Sequence, residues 1–335
     1  MEKLIVISIT LNLLIIFFFN QISKFVNIFD YPSERKIHTS PTPILGGLII
    51  YLNLIIYFFY IIIIDNSLQK LLFLENLKMI SLFIFTSTTI FLIGIFDDKF
   101  DISPHVRLIS FILLVSNFLY FDNSSLIEIL NFSFNDTSFD LRKTSFIFTL
   151  LCFLVFMISL NMYDGTNLQS SLFYFYIIIY FLIQNFELNL FLLYIGISIL
   201  FFFYKNFNGK TFLGDGGTYL LSFLFAYLII HNHTYLDIKS DEIVMLIIFP
   251  IIDALRLYIV RIINKKNPFF PDQNHFHHLL KKRFNEQNTM FLLILILILP
   301  LTIYKLLNNS LFSLFIFIIF YTSTILIFKK KNKNL

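Results

Sequence analysis

The chain has 335 residues, 57% of them hydrophobic and only 14% charged, with a mean hydropathy of +0.79. Forty-six phenylalanines and so little charge exclude a water-soluble globule, so the solvent has to be lipid. The formal net charge of +4 points to no nucleic-acid partner, and the single cysteine, Cys152, rules out an internal disulfide and argues against a thiolate metal site.

Apolar segments near the length needed to cross the ~30 Å hydrocarbon core lie at 4–24, 44–64, 71–96, 106–121, 145–161, 171–186, 188–204, 218–231, 243–263, 290–307 and 310–328. The first is followed by NQISKFVNIF, which has no small-x-small cleavage site, so it reads as an uncleaved span. No repeat and no Pro/Ser linker interrupts the series. The expectation is an all-α integral membrane protein with about ten to eleven transmembrane helices, forming a single polytopic domain over 1–335.

Lysine and arginine set the orientation. With the N-terminus outside, the inner loops hold three of them near 20–47, two near 97–107, two near 205–217, seven from 256 to 289 and four in the tail, 18 of the chain's 25. The tail KKKNKNL by itself argues for a cytoplasmic C-terminus. This topology puts every chemically suggestive cluster on the cytoplasmic face: DYPSERKIHTSPTPILGG (30–47), DDKFDISPHVR (97–107), NMYDGTN (161–167), KNFNGKTFLGDGGT (205–218) and DALRLYIVRIINKKNPFFPDQNHFHH (253–278). The outer loops read as ordinary polar connectors.

Carboxylates come first. Asp97 and Asp98 end one span, Asp164 follows another, and Asp215 opens a third within GDGG. Paired negative charge beside a low dielectric is costly unless a cation or hydrogen-bond donors compensate. Oxygen ligands of this kind suit Mg²⁺, or Mn²⁺ in its place, completed by water and substrate phosphates. The glycines around Asp215, with Lys210 just before them, would let backbone come close to a ligand at a helix N-terminus. In PDQNHFHHLL, His275, His277 and His278 share a loop with Arg256, Arg261, Lys265 and Lys266, a setting that favours phosphate or nucleotide over a second metal. The positive-inside rule alone explains the lysines of that loop but not its histidines. In the first inner loop, Arg35, Lys36 and His38 precede Pro41, Pro43, Gly46 and Gly47. For Arg35 and Lys36 a plain positive-inside loop and a substrate contact are equally good readings.

In this order, Asp-x-Pro with Arg-Lys-x-His and Pro-x-x-Gly-Gly, then Asp-Asp, Asn-x-x-Asp-Gly, Gly-Asp-Gly-Gly-Thr and His-x-His-His, the clusters resemble the polyprenyl-phosphate N-acetylhexosamine-1-phosphate transferases, from about Asp30 to His278. That family includes WecA-type enzymes of O-antigen and teichoic-acid synthesis and the MraY-type enzyme of peptidoglycan synthesis. The resemblance implies transfer of a sugar-1-phosphate from a UDP-sugar to undecaprenyl or another polyprenyl phosphate, with release of UMP, in the inner (plasma) membrane. It implies that Asp215 is the main Mg²⁺ ligand, and that Asp97 and Asp98 position or deprotonate the lipid phosphate. Asn161, Asp164 and Asn167 would lie near metal and nucleotide. Lys99 or Arg107 would hold phosphate, with Lys210 and Arg256 as further contacts. His275, His277 and His278 would cover the nucleotide-sugar. A homodimer is a further expectation.

One departure stands out. The family often reads Asp-Gly-x-Asp-Gly-Leu where this chain has Asp164-Gly165-Thr166-Asn167-Leu168-Gln169, so the second acid is an amide that accepts a hydrogen bond without charge. PDQNHFHHLL resembles the WecA type more than the longer, acid-containing loop of the MraY type, which favours UDP-N-acetylglucosamine or a relative over a muramoyl-pentapeptide donor. A transporter is the rival of another class. It should carry polar residues along several spans and internal repeats, whereas here charge gathers at span ends apart from Asp253. The CDP-alcohol phosphotransferases require Asp-Gly-x-x-Ala-Arg, which residues 164–169 do not supply.

Overall fold

A computed structural model describes residues 2–32, 40–65, 76–134, 138–184, 189–236, 238–269, 272 and 274–331. Arg35, Lys36 and His38 lie outside the described residues. In chain order the elements are α1 (Glu2–Phe17), α2 (Phe19–Val26), β1 (Phe29–Asp30), β2 (Thr42–Pro43), α3 (Gly46–Tyr60) with a π-helical turn Ile61–Asp65, α4 (Leu77–Phe100), α5 (Pro104–Phe121), β3 (Ile129–Asn131), β4 (Ser138–Asp140), α6 (Ser145–Tyr163), α7 (Gln169–Ile183), α8 (Asn189–Phe207), α9 (Gly214–Leu236), α10 (Ser240–Ile263), α11 (Phe276–Lys281), α12 (Glu286–Leu307) and α13 (Ser310–Lys331). A helix thus falls on each of the eleven apolar segments. Two short antiparallel hairpins, β1–β2 and β3–β4, are the additions that hydropathy does not foretell.

Among the described residues, eight helices are long and apolar enough to cross a bilayer, or nine if α1 and α2, bent by 72°, count as one span. α7 is a shorter apolar helix, and α9 starts on GDGGT and ends on HNHTYL, so both fall outside that set. The chain is a multi-pass membrane protein. Its surface supports this independently, since Phe17, Phe25 and Leu306 are each more than three-quarters exposed, an arrangement stable only against lipid.

The chain forms two compact units. The first comprises residues 1–124 and 170–228, the second 125–169 and 229–335.

In the first unit, helix ends follow from capping. The Asn76 side chain accepts the Met79 amide at 3.0 Å and starts α4. α4 ends on Asp101 in the left-handed region (φ 52°). Ser103 then caps α5 ahead of Pro104, which suits a first helical position. This three-residue turn brings the end of α4 beside the start of α5. The core is aromatic: Phe83 of α4 lies 4.8 Å from Tyr227 and 5.6 Å from Phe223 of α9, and Phe118 of α5 lies 5.4 Å from Phe223, centroid to centroid.

A polar knot ties α1 to α3. Asn12 and Asn53 exchange amide hydrogen bonds at 2.9 and 3.1 Å, and the Ser8 hydroxyl donates to Asn53 Oδ1 at 3.0 Å. All three residues are fully buried. Amides at membrane depth hold only if satisfied by protein.

In the second unit, Tyr163 of α6, Phe249 of α10, Phe276 of α11 and Tyr321 of α13 pack ring against ring. Asn285 caps α12 by accepting the Asn288 amide at 2.9 Å, and Asn308 closes it in the left-handed region.

Replacing Asn53 with Leu leaves Asn12 without its reciprocal partner. The expected loss is about 1 kcal/mol, the scale of interhelical hydrogen bonds in membranes. Unfolding in mixed micelles would measure it.

Candidate functional site

The first unit places Asp97, Asp98, Arg107 and Asp215 together. Asp97, in the last turn of α4, is 5% exposed. Its Oδ1 accepts the Ile102 amide at 2.9 Å, and its Oδ2 forms an ion pair with Arg107 Nη1. The same guanidinium nitrogen stands 3.3 Å from Asp215 Oδ2 and 3.4 Å from the Tyr219 hydroxyl, one turn further along α9. One cation from α5 therefore bridges carboxylates from α4 and α9. This compensates the paired negative charge that composition made conspicuous.

Asp98 has a different setting. Its Oδ1 accepts the Asp215 amide at 2.8 Å and its Oδ2 accepts the Gly216 amide at 3.2 Å. These are N–H groups of the first turn of α9, which have no intrahelical partner, and the helix dipole favours the carboxylate there. Asp98 thus fixes where α9 begins, and with it where Asp215 points. Gly214 makes the arrangement possible: its φ of +74° suits glycine, and a Cβ there would meet Asp98 Oδ2 at 2.6 Å.

The glycines of GDGG act between helices rather than as an open cradle for a ligand. A Cβ on Gly94 of α4 would collide with the backbone of Gly216, and one on Gly47 of α3 with the backbone of Gly217. Three helices touch backbone to backbone at the start of α9. The Pro-x-x-Gly-Gly motif belongs to the same joint. Phe212 N donates to Pro43 O at 3.1 Å, Gly46 N to Phe212 O and Gly47 N to Leu213 O, both at 2.9 Å. The orphan amides of α3 are satisfied by the segment leading into α9.

Lys99 and Lys210 are solvent-exposed. Lys99 Nζ stands 5.4 Å from the Phe100 ring, and Lys210 N closes a turn onto Lys205 O at 3.0 Å.

The second unit holds the remaining motifs. Asn161 lies in the last turn of α6, Asp164 is its C-cap residue, and Asn167 sits in the turn that follows. Gly165 runs against the histidine loop, where a Cβ on it would overlap the His277 ring. His275, His277 and His278 are gathered at α11, with the 275 and 277 rings stacked 5.2 Å apart and the 277 and 278 rings 4.2 Å apart. Burial pushes the His277 imidazole well below its ordinary range, helped by the neighbouring histidines. Burial, with His275 and Lys281 nearby, pushes His278 down to about 4. Both rings are therefore neutral at pH 7.

Arg256, one turn after Asp253 on α10, donates from Nη2 to Asp253 Oδ1 at 2.7 Å and to Asn274 O at 2.8 Å. Arg261 donates to Asp272 Oδ2 at 2.8 Å and to Pro268 O at 2.7 Å, which pins the loop before the histidines. Burial alone would raise the Asp272 carboxyl. The Arg261 hydrogen bond and the Asn274 amide outweigh it and hold Asp272 below its ordinary range. Sequence reading missed Asp253, Gly165 and Tyr219 as site residues. The first had a usable signal, a carboxylate three positions before an arginine in a helix whose preceding ten residues, 243–252, are all apolar.

Among the described residues, no three His, Cys, Asp or Glu side chains close around one point. Asp215 keeps a side chain 31% exposed, unlike Asp97 at 2%. One accessible carboxylate beside the Arg107 guanidinium fits a hard cation completed by water and other oxygens, not a preformed protein cage.

Residues 80–233 match the model of glycosyl transferase family 4. An undecaprenyl-phosphate alpha-N-acetylglucosaminyl 1-phosphate transferase of Thermotoga maritima is 26% identical over 274 residues, covering 81% of this chain and 79% of its own. A protein of the same name from Escherichia coli K12 is 24% identical, covering 84% and 76%. A probable undecaprenyl-phosphate N-acetylglucosaminyl 1-phosphate transferase of Bacillus subtilis is 27% identical, covering 88% and 82%.

Gly165→Ala forces a methyl into the His277 ring. Activity should fall by about a hundredfold, the order expected from a 1 Å misplacement within a site, while the variant still runs as a folded monodisperse species in detergent. The depressed His278 value also has a thermodynamic sign. The unfolded chain binds a proton near pH 6.5 that the folded protein refuses until about 4, so stability falls as pH drops through that window. Thermal unfolding from pH 7 to 4 should show this decline, and His278→Asn should make it shallower, with the buried His277 keeping its own share.

Proposed function

We propose that this chain, whose residues 80–233 match the model of glycosyl transferase family 4, moves N-acetylglucosamine 1-phosphate from UDP-N-acetylglucosamine to undecaprenyl phosphate and releases UMP. A lipid-phosphate oxygen attacks the sugar-bearing phosphorus of the donor. The bond from that phosphorus to the bridging oxygen breaks, and UMP leaves with that oxygen. The product is an undecaprenyl-diphospho-sugar, the starting unit of a cell-envelope polysaccharide such as O-antigen.

The observation that carries this reading is Arg107 held between Asp97 and Asp215 at helix ends. A lipid-borne phosphate lies at headgroup depth, where such a cation can meet it. Phosphoryl transfer asks a protein mainly for positioning and neutralisation of phosphate charge. Arg107 would orient the acceptor phosphate, and Asp97 would hold Arg107 and take up any acceptor proton. Asp98 would keep Asp215 in place through the first turn of α9. Asp215 would hold Mg²⁺, or Mn²⁺, which when bound draws charge from the diphosphate and eases loss of UMP.

In the second unit, Arg256 Nη1 and His277 Nε2 are buried with no hydrogen-bond partner among the described residues. Polar atoms stored this way suit the oxygens of a nucleoside diphosphate. Neutral His277 and His278 can donate or accept at uracil or sugar groups. Asn161, Asp164 and Asn167 would contact the same donor, with an amide at 167 where relatives often carry an acid. Lys99, Lys210, Arg35, Lys36 and His38 would add positive charge for phosphate groups. The protein would sit in the plasma membrane with its N-terminus outside and its C-terminus in the cytoplasm. A homodimer is compatible with this reading.

Membranes carrying the protein and undecaprenyl phosphate should release UMP from UDP-N-acetylglucosamine. Asp215→Asn or chelation with EDTA should lower the rate by at least about a thousandfold, the scale of losing metal-based charge stabilisation. Release that survives both treatments would overturn the reading, and a panel of UDP-sugars would identify the preferred donor.

A further inference from the structure

Tyr321 lies in α13, outside the segment that matches the family model. It is 1% exposed, and Ile318, Ile319 and Phe320 immediately precede it in the helix. Its ring stacks on Phe276 with centroids 5.6 Å apart, a contact that phenylalanine would make equally well. The hydroxyl is what needs explaining, because a buried O–H costs stability unless it is hydrogen-bonded.

It is bonded twice. The Tyr321 hydroxyl donates to Asp253 Oδ1 at 2.6 Å and accepts from Arg256 Nε at 2.9 Å. Asp253, itself 4% exposed, takes Arg256 Nη2 on the same oxygen at 2.7 Å. Its other oxygen accepts the Phe276 amide at 3.3 Å and faces His275 Nδ1 at 3.5 Å. Phe276 is the first residue of α11, so that amide is one of its orphan donors. Three elements, α13, α10 and the histidine turn, therefore meet on one carboxylate.

An ion pair buried this deeply gives a unique arrangement only when its remaining donors and acceptors are satisfied. Asp253 and Arg256 alone could swing together on α10. A hydroxyl from a separate helix fixes which carboxylate oxygen faces the arginine and which faces α11.

We propose that Tyr321 is a positioning residue for donor binding: its hydroxyl sets Asp253 and Arg256, and through them the His275–His278 turn, in the arrangement that receives a uridine diphosphate sugar. This rests on the function proposed above for the ligand, but the ordering of the turn can be read without it.

The test compares full-length wild type with Tyr321→Phe and Asp253→Asn in detergent and in membranes with undecaprenyl phosphate. Hydrogen–deuterium exchange over residues 274–281 reads the turn directly. UMP release at varied UDP-N-acetylglucosamine and varied lipid phosphate separates the two KM values. In both variants exchange of the turn should accelerate, and the donor KM should rise about tenfold, the size of one lost hydrogen bond to a charged group. The lipid KM and the melting temperature of Tyr321→Phe should stay near wild type. Unchanged exchange with unchanged donor KM would overturn the proposal. So would equal losses in both KM values together with a fallen melting temperature, since that marks a general packing role. If wild type releases no UMP, the reading of the reaction fails, and the exchange comparison still decides whether Tyr321 orders the turn.

Discussion

Charge beside hydrocarbon must be compensated locally, and the chemistry-bearing parts of this chain obey that constraint. Bulk water is too far away to stabilise an isolated carboxylate buried to a few per cent exposure. In the first unit, Asp97 is balanced by Arg107 and by the Ile102 amide, while Asp98 is balanced by two amides at a helix start. In the second, Asp253 gathers Arg256, Tyr321 and the Phe276 amide. Each solution orients a side chain as a by-product of stabilising it. Preorganisation for phosphate chemistry and survival of charge at low dielectric are here the same physical requirement.

The two adjacent aspartates show how far position alone can mislead. Side chains at consecutive helical positions diverge by about a third of a turn, so neighbours in sequence need not share a partner. Asp97 faces the guanidinium of α5, whereas Asp98 faces the start of α9. A carboxylate that already accepts two backbone amides has less capacity left for a proton or a metal than Asp215, whose side chain remains partly exposed. The pair therefore divides its labour between holding a cation and holding a helix.

Much of the architecture was legible in the sequence, because hydrophobic length is a strong signal in a membrane protein. A helix lies on each of the eleven apolar segments. The motifs gave the partners of the site in outline. What they could not give was the job of each glycine. GDGG read as backbone left open for a ligand, yet Gly216 and Gly217 are consumed by Gly94 and Gly47 of other helices. A bare glycine looks the same whether the object approaching it is a phosphate or another backbone. Tyr321 was invisible for a related reason. It is separated from Asp253 by 68 positions, and a tyrosine in an aromatic-rich helix carries no mark of the hydroxyl's partner.

Close packing of backbones and fixed placement of charge are coupled through α9. Its first turn is clamped by α3 and α4 through glycine contacts and capped by Asp98, so the Asp215 carboxylate leaves a helix end that has almost no freedom to shift. A larger residue at Gly94 or Gly47 would move that end, because its Cβ would meet the backbone of Gly216 or Gly217. The rigidity of the joint explains why a chain dominated by Ile, Leu and Phe retains small residues at those positions. Bulk is welcome on surfaces that meet lipid and is excluded where helix backbones must meet to aim a carboxylate.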